Sequence, residues 1–320
     1  LPISVTVDGV RTDFSPRAIT AVVGPNGSGK TTLMGRIAGR LSGGEVSPDE
    51  AGIVLLTQRP GLPPRSTAVE AVAMVTRDKV RAQELLAAAG LHELADVPVP
   101  ALSGGQAAHV ALVRALAARS AVLIVDEPLA AVDVKSAERW RHFLHAARAD
   151  RTTLLVTHDA LDIAHLAQDM LVMESGQVRA HGATARLLEA PPTGFVAALA
   201  GLNRLEGTVT ETGASTVKVA CGDITVLATT EDASFEPGQK VAVTFAPHAA
   251  TIGAAPEACN QWAARVLAVE ATSLAAAQLR VDLGGQEATV PVDREFALDV
   301  RVGNTVSLTV SKANVFVHPN

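Results

Sequence analysis

Gly24-Pro25-Asn26-Gly27-Ser28-Gly29-Lys30-Thr31 fits the spacing G-x-x-x-x-G-K-[ST], and it stands where that spacing carries a mechanism. The residues just before it, 19–23, are all apolar or β-branched and predict a buried strand. A helix is expected to begin near Thr31. Glycines let main-chain N–H groups turn inward around phosphates, and a helix N-terminus adds positive potential there. Lys30 would then reach the β- and γ-phosphates of a nucleotide, and the Thr31 hydroxyl would hold Mg²⁺. Thr32, in the first helical turn, is counted with the nucleotide-binding residues.

Outward from this loop, residues 53–57, 121–125, 153–157 and 170–173 form further continuous apolar or β-branched runs. Such runs read as strands covered on both faces of a mostly parallel sheet. Helical stretches at 79–89, 106–118 and 135–149 lie between them, so the first part of the chain is expected to be a layered α/β domain. One run continues into Val125-Asp126-Glu127-Pro128. The C-terminal end of a parallel strand is the edge at which ligands bind in such sheets. Asp126 suits the holding of Mg²⁺, and Glu127 suits a base or positioning group for attacking water.

Between the two motifs lies Leu102-Ser103-Gly104-Gly105-Gln106, directly before a helix. Physically it is either an ordinary N-cap at Ser103 or a second helix N-terminus able to hold an anion. With the phosphate loop upstream and the Asp-Glu strand downstream, it resembles the signature of ATP-binding-cassette ATPases. The resemblance implies a P-loop NTPase fold with a helical subdomain at about 60–115. It also implies that Ser103, Gly104, Gly105 and Gln106 cap a nucleotide bound by a second copy of the chain. Gln58 resembles the glutamine that senses Mg²⁺ and water and meets the transmembrane partner. Asp133 resembles the aspartate that faces the other copy, and His158 the switch histidine near the γ-phosphate. Glu127, His158 and Gln58 are the implied catalytic residues, with Thr31, Gln58 and Asp126 around the metal.

After about Gly201 the pattern changes to short alternating strands separated by Pro237-Gly238, Gly284-Gly285 and Gly303-Asn304, which reads as an all-β barrel region. It also hints at duplication into modules of about 60 residues. Asn203 precedes Gly207-Thr208-Val209 in the phase in which Asn260 precedes Ala264-Arg265-Val266. The expected division is 1–200 and 201–320. Residues 166–169, 173–178, 181–182 and 195–203 track bacterial importer ATPases, and the tail resembles their tandem oligonucleotide-binding-like TOBE region. Val310-Ser311-Lys312-Ala313-Asn314-Val315 is similar to the TOBE motif of molybdate importers. The resemblance implies permease subunits and, through them, a substrate-binding protein as partners, a peripheral place on the cytoplasmic face of the membrane, and an oxyanion held near Ser311 and Lys312. The other reading of the tail is a dimerisation domain without ligand.

Composition narrows the alternatives. The chain has 320 residues, 48 % hydrophobic and 19 % charged, enough for about two packed domains at ~150 residues each. Its mean hydropathy is +0.25, yet the longest uncharged stretch, 97–113, has 17 residues and contains two prolines and a Gly-Gly pair. A spanning helix needs ~20 apolar residues, so none is expected. No signal peptide is read at the start of the sequence. A net charge of −6 argues against nucleic acid as partner. Cys221 and Cys259 match no metal or redox spacing and read as small buried side chains. A soluble cassette ATPase of repair or translation, and an oxyanion-storage protein, explain less of the chain than an importer motor. Sulfate, iron, polyamine and sugar importers remain alternatives to molybdate or tungstate.

Three departures from the family pattern stand out. Only 28 residues separate Lys30 from Gln58, and the run 42–52 reads as too short for an antiparallel insert beside the nucleotide. There is no tyrosine, and Phe14 is the aromatic nearest the loop's strand, so stacking on adenine is in question. His109 stands where the family commonly has an arginine. It either loosens the signature helix or makes coupling pH-sensitive, since histidine titrates near about 6.5, or is a tolerated surface change.

Overall fold

The computed structural model describes residues 3–7, 10–47, 52–59, 61–130, 132, 134–147, 150–230, 235–253, 260–273 and 276–319. Asp133 and Cys259 lie outside the described residues. The chain divides into two compact units, Leu1–Leu187 and Leu188–Asn320.

The first unit is built on β1 (Ile3–Val7), β2 (Val10–Phe14), β3 (Ile19–Val23), α1 (Lys30–Ile37), β4 (Gly44–Ser47) and β5 (Ile53–Leu56). It continues with α2 (Ala68–Thr76), α3 (Lys79–Ala88), α4 (Gly104–Ala117), β6 (Val122–Asp126), α5 (Val134–Ala147), β7 (Thr152–Val156), α6 (Ala160–Leu166), β8 (Asp169–Glu174) and β9 (Gln177–Ala183). Six strands make one sheet in the order β5-β6-β7-β3-β8-β9, parallel except for β9. Every residue of β3 and β7 is buried, the reason their sequences run apolar or β-branched without alternation. The C-terminal ends of β5, β6, β7 and β3 therefore share one edge.

Part of the run 42–52, residues 44–47, does enter an antiparallel sheet. It supplies β4, which pairs with β1 (Val5 opposite Val46) to give the order β2-β1-β4. One short strand suffices because the β1–β2 hairpin supplies the other two. This sheet shares a core with the large one: Ile3, Val5 and Phe14 pack with Leu33, Met34 and Ile37 of α1 and with Val22, Leu171 and Met173. The helical segment is locally specified. Thr67 and Glu70 form a capping box at α2, and the Asp78 carboxylate accepts from the N–H groups of Val80 and Arg81 at α3.

α7 (Thr184–Glu189) carries the division between the units, and α8 (Gly194–Leu199) packs on β10 (Asn203–Thr212) of the second. The division thus falls ahead of the change of sequence character near Gly201. The second unit adds β11 (Thr216–Cys221), β12 (Ile224–Thr229), β13 (Lys240–Phe245), β14 (Ala250–Ile252), β15 (Asn260–Ala271), β16 (Ala276–Leu283) and β17 (Gln286–Asp293). It ends with α9 (Arg294–Asp299), β18 (Thr305–Val310) and β19 (Phe316–Pro319).

Its two antiparallel sheets have the orders β12-β11-β10-β13-β19 and β17-β16-β15-β18-β14, the same plan twice. Each module gives its last strand away. β14 follows β13 in the chain but pairs with β18, and β19 follows β18 but pairs with β13. The modules consequently share one core, in which Leu205, Val243 and Phe245 pack with Trp262, Leu279 and Leu308. Two glycine turns meet where a side chain would not fit: a Cβ on Gly222 (φ +57) would run into the carbonyl oxygen of Gly284. Among the described residues no helix is long and apolar enough to cross a membrane.

Candidate nucleotide site

The loop after β3 is held in its shape by close backbone contact. Gly24 has φ +150, and a Cβ there would strike the Met173 carbonyl oxygen on β8. Gly29, at φ 94, caps α1 in the left-handed conformation and leaves the first N–H groups of the helix without a side-chain partner. Lys30 folds back over the loop, its Nζ donating to the carbonyl oxygens of Gly24 (2.7 Å) and Pro25 (2.9 Å). Burial holds the Lys30 ammonium below its usual range, against the opposing pull of Glu127 and Asp126.

Three strand ends converge on one carboxylate. Gln58, just past β5, donates from Nε2 to Glu127 Oε2 at 3.1 Å. His158, just past β7, lies with Nδ1 3.0 Å from Glu127 Oε1. A hydrogen bond to a carboxylate requires the proton on Nδ1. Glu127 itself is in the left-handed region at φ 47, a backbone cost of order ~1 kcal/mol that clusters at functional sites. Its N–H is tied to the Val156 carbonyl (2.9 Å), which fixes the turn at the end of β6. Beside it, burial and then the Glu127 charge push the Asp126 carboxyl above its usual range, with Lys30 opposing.

These groups surround a cavity of about 290 Å³ lined by residues 26–32, Gln58, Asp126, Glu127 and Val156. Asp126 and the Thr31 hydroxyl supply hard oxygen ligands at a place with excess negative charge, a donor set that fits Mg²⁺. The site can hold a phosphate chain at the loop, a divalent cation against Asp126, and a water near Glu127. Residues 24–32, Gln58, Asp126, Glu127 and His158 are thus brought together.

Ser103, Gly104, Gly105 and Gln106 do not line that cavity. They open α4 with a capping box: Ser103 Oγ accepts from the Gln106 N–H (3.3 Å), and Gln106 Oε1 accepts from the Ser103 N–H (2.9 Å). A Cβ on Gly104 or Gly105 would meet open space. Further along α4, the His109 ring stacks on Trp140 of α5, centroids 5.0 Å apart and planes at 27°. Trp140 is buried, so His109 covers an indole as well as standing at the surface. The sequence separation of 31 residues hides that contact.

Sequence reasoning missed a larger cleft of about 740 Å³ opening on Gly29 and Thr32 of the same loop. Its walls are mostly aliphatic, with Val5, Val7, Met173 and Val178, and Arg36 and Gln177 add polar groups. Phe14 does line the cleft, but it is buried, with its ring against His181 (centroids 5.6 Å). The usable signal was the alternation of valines along β1.

In the second unit, the Ser311 hydroxyl and the Lys312 main chain serve the turn that precedes β19. Ser311 Oγ accepts from the Ala313 N–H (3.4 Å), and the Lys312 carbonyl accepts from Thr229 Oγ1 (3.3 Å). The Cys221 thiol is buried and pushed up to about 12 by that burial, which makes it inert.

The chain is similar to known proteins over both of its units. The ABC transporter family model matches residues 7–130, and the TOBE domain model matches residues 256–317. A molybdenum import ATP-binding protein of Mycobacterium tuberculosis is 37% identical over 231 residues, 62% of this chain and 63% of that protein. The match therefore spans less than two thirds of that relative. A sulfate/thiosulfate import ATP-binding protein of Chromobacterium violaceum is 32% identical over 345 aligned positions, 98% of this chain and 93% of that protein. An sn-glycerol-3-phosphate import ATP-binding protein of Paraburkholderia xenovorans is 34% identical over 232 residues, 64% of each. Cassette motifs, parallel sheet, β-rich tail and a full-length relative converge: the chain belongs to the ABC transporter family and carries a TOBE domain over residues 256–317.

Proposed function

We propose that this protein hydrolyses ATP to drive import of a molybdate- or tungstate-type oxyanion, as a head-to-tail pair of copies bound to permease subunits at the cytoplasmic face of the membrane. The observation that carries the ATPase reading is the Glu127 carboxylate held between Gln58 and His158 beside the phosphate loop. The loop N–H groups and Lys30 cradle the phosphates, Lys30 exchanging its two carbonyl partners for phosphate oxygens. Thr31 and Asp126 hold Mg²⁺, which when bound neutralises charge on the β- and γ-phosphates. Glu127 orients a water for attack on the γ-phosphorus and takes its proton as the bond to the ADP oxygen breaks. His158 holds Glu127 and meets the γ-phosphate, and Gln58 links the site to the permease. Ser103, Gly104, Gly105 and Gln106 of each copy close on the nucleotide of the other, with Asp133 at the same seam. The base occupies the aliphatic cleft beside Gly29.

For the substrate, support comes from the relative named for molybdenum import and from the stretch Val310–Val315. A second reading, import of sulfate or thiosulfate, is favoured by the relative that aligns over nearly the whole chain. The test is ATP hydrolysis by the complex reconstituted with its permease, stimulated by binding protein loaded with molybdate, sulfate or a polyamine. Stimulation by molybdate alone supports the first reading and stimulation by sulfate alone the second. Hydrolysis indifferent to every oxyanion leaves the motor and removes both substrates.

A further inference from the structure

The two β modules repeat one contact and break another. Asn203 grips the main chain of Thr289, accepting from its N–H (2.7 Å) and donating to its carbonyl (2.9 Å). Asn260 grips Leu227 in the same way, at 2.8 Å for both bonds. The pairs set the correspondence between modules: 57 residues along the opening strands, 62 along the gripped ones. Three residues after Asn203, Glu206 turns its N–H and C=O past the end of β11, where the Gln286 carboxamide closes on both (2.7 and 2.9 Å). By the same correspondence Glu206 answers to Ala263, and Gln286 answers to Ile224.

Isoleucine has no donor or acceptor to offer. The direction of the Ala263 groups follows from register. The Val266 N–H bonds to the Asn304 carbonyl on the β18 side (2.8 Å), and successive residues of an antiparallel strand alternate sides. Ala263 therefore faces the β16 side, beyond the last rung, Arg265 opposite Asp282. At that place lies a cavity of about 680 Å³, walled by Ala263, Ile224, Trp262 and Gly284 among others. Its ionic groups are Arg265, Asp282 and Asp223, with Arg265 3.3 Å from Asp282. Two carboxylates against one guanidinium disfavour an oxyanion. A strand N–H and C=O side by side instead ask for an adjacent acceptor and donor on one neutral group.

We propose that this cavity binds a small neutral molecule bearing a primary carboxamide, held by Ala263 as Glu206 holds Gln286. The ligand oxygen accepts from the Ala263 N–H and its NH₂ donates to the Ala263 carbonyl, while the Trp262 wall covers its apolar part. The volume lies in the ordinary range for small-molecule sites.

The test uses the full chain with Trp140→Phe, which leaves Trp262 as the remaining tryptophan and a reporter in the wall. L-Glutamine is the probe and L-glutamate, equal in shape but charged and lacking the NH₂, is the control. The expected result is a saturable Trp262 response to glutamine at millimolar concentration and none to glutamate. Ile224→Gln, which closes the strand end as Gln286 does, weakens binding by about tenfold or more. If Ile224→Gln fails to fold, Ala263→Pro removes the N–H and should weaken binding equally. No saturable response, an equal response to glutamate, or unchanged affinity in the folded blocking variant overturns the proposal.

Discussion

The nucleotide edge of the first unit and the paired β modules of the second use similar polar groups in opposite ways. At the edge, Asp126 carries the burden of burial and of the Glu127 charge, Lys30 is held below its usual range, and Glu127 sits at φ 47. In the modules, Asn203 and Asn260 are buried with the oxygen and nitrogen of each carboxamide both bonded to main chain. The first arrangement leaves charge that a bound cation would offset; the second is already complete. Uncompensated charge marks where chemistry happens, and compensated amides mark where register is set.

The comparison breaks most visibly at Glu127. Glu127→Gln keeps the side-chain shape but cannot take a proton, so kcat for ATP hydrolysis is expected to fall by about 10²–10⁴ while nucleotide still binds. Steady-state hydrolysis alongside nucleotide titration checks this. Near-normal turnover would remove Glu127 from the base role and leave the strained carboxylate without a task.

Asn260→Ala tests the opposite side. It strands the Leu227 N–H and C=O together, at a cost of about 2–4 kcal/mol, and Asn203→Ala should cost as much through Thr289. Urea unfolding read at Trp262 in the Trp140→Phe background measures both. Equal losses sharpen the picture of two equivalent modules. A loss confined to one would show that the modules, alike in plan, are not alike in stability.

These two regions were unequally legible. The phosphate loop, the Asp-Glu strand end and the signature are contiguous, because each is one turn wrapped around one group, and their linear spacing survives in the sequence. The strands that bring them to one edge announce themselves as unbroken apolar runs. The exchange of β14 and β19 leaves no such trace, since a three- or four-residue strand pairs equally well with either module by local pattern. The repeated asparagines signalled duplication but not that each grips the other module. The aliphatic cleft beside Gly29 was missed because its walls come from β1, β2, β8 and β9, which are adjacent only once both sheets are packed.

A smaller effect separates binding from stability at Asp126. Its carboxyl is raised in the fold, so the ionised form destabilises the folded protein, and stability is gained as pH falls through that raised value. Asp126→Asn cannot ionise and is expected to stabilise the nucleotide-free protein by about 1 kcal/mol. The same change removes a metal ligand, so the rise in melting temperature on adding Mg²⁺ and ATP should vanish. Thermal unfolding with and without nucleotide reads both, and a destabilised variant would show that Asp126 is held for structure.

The smallest effect belongs to His318 on β19, the strand one module lends to the other. Burial holds its imidazole below 6.5, with Arg204 pushing the same way and Glu189 opposing, and Nε2 lies 2.9 Å from Thr244 Oγ1. Above about pH 6.5 both folded and unfolded chains carry it neutral, and it makes no slope in stability. Below that value the unfolded chain takes a proton the folded one refuses, so stability falls until the pH reaches the lower folded value. His318→Gln should flatten the stability curve just below pH 6.5 and leave it unchanged above. Urea midpoints across that interval decide the matter. An unchanged slope would mean that β19 lifts away to let His318 charge, and the exchanged strand would then be the weakest seam of the paired modules.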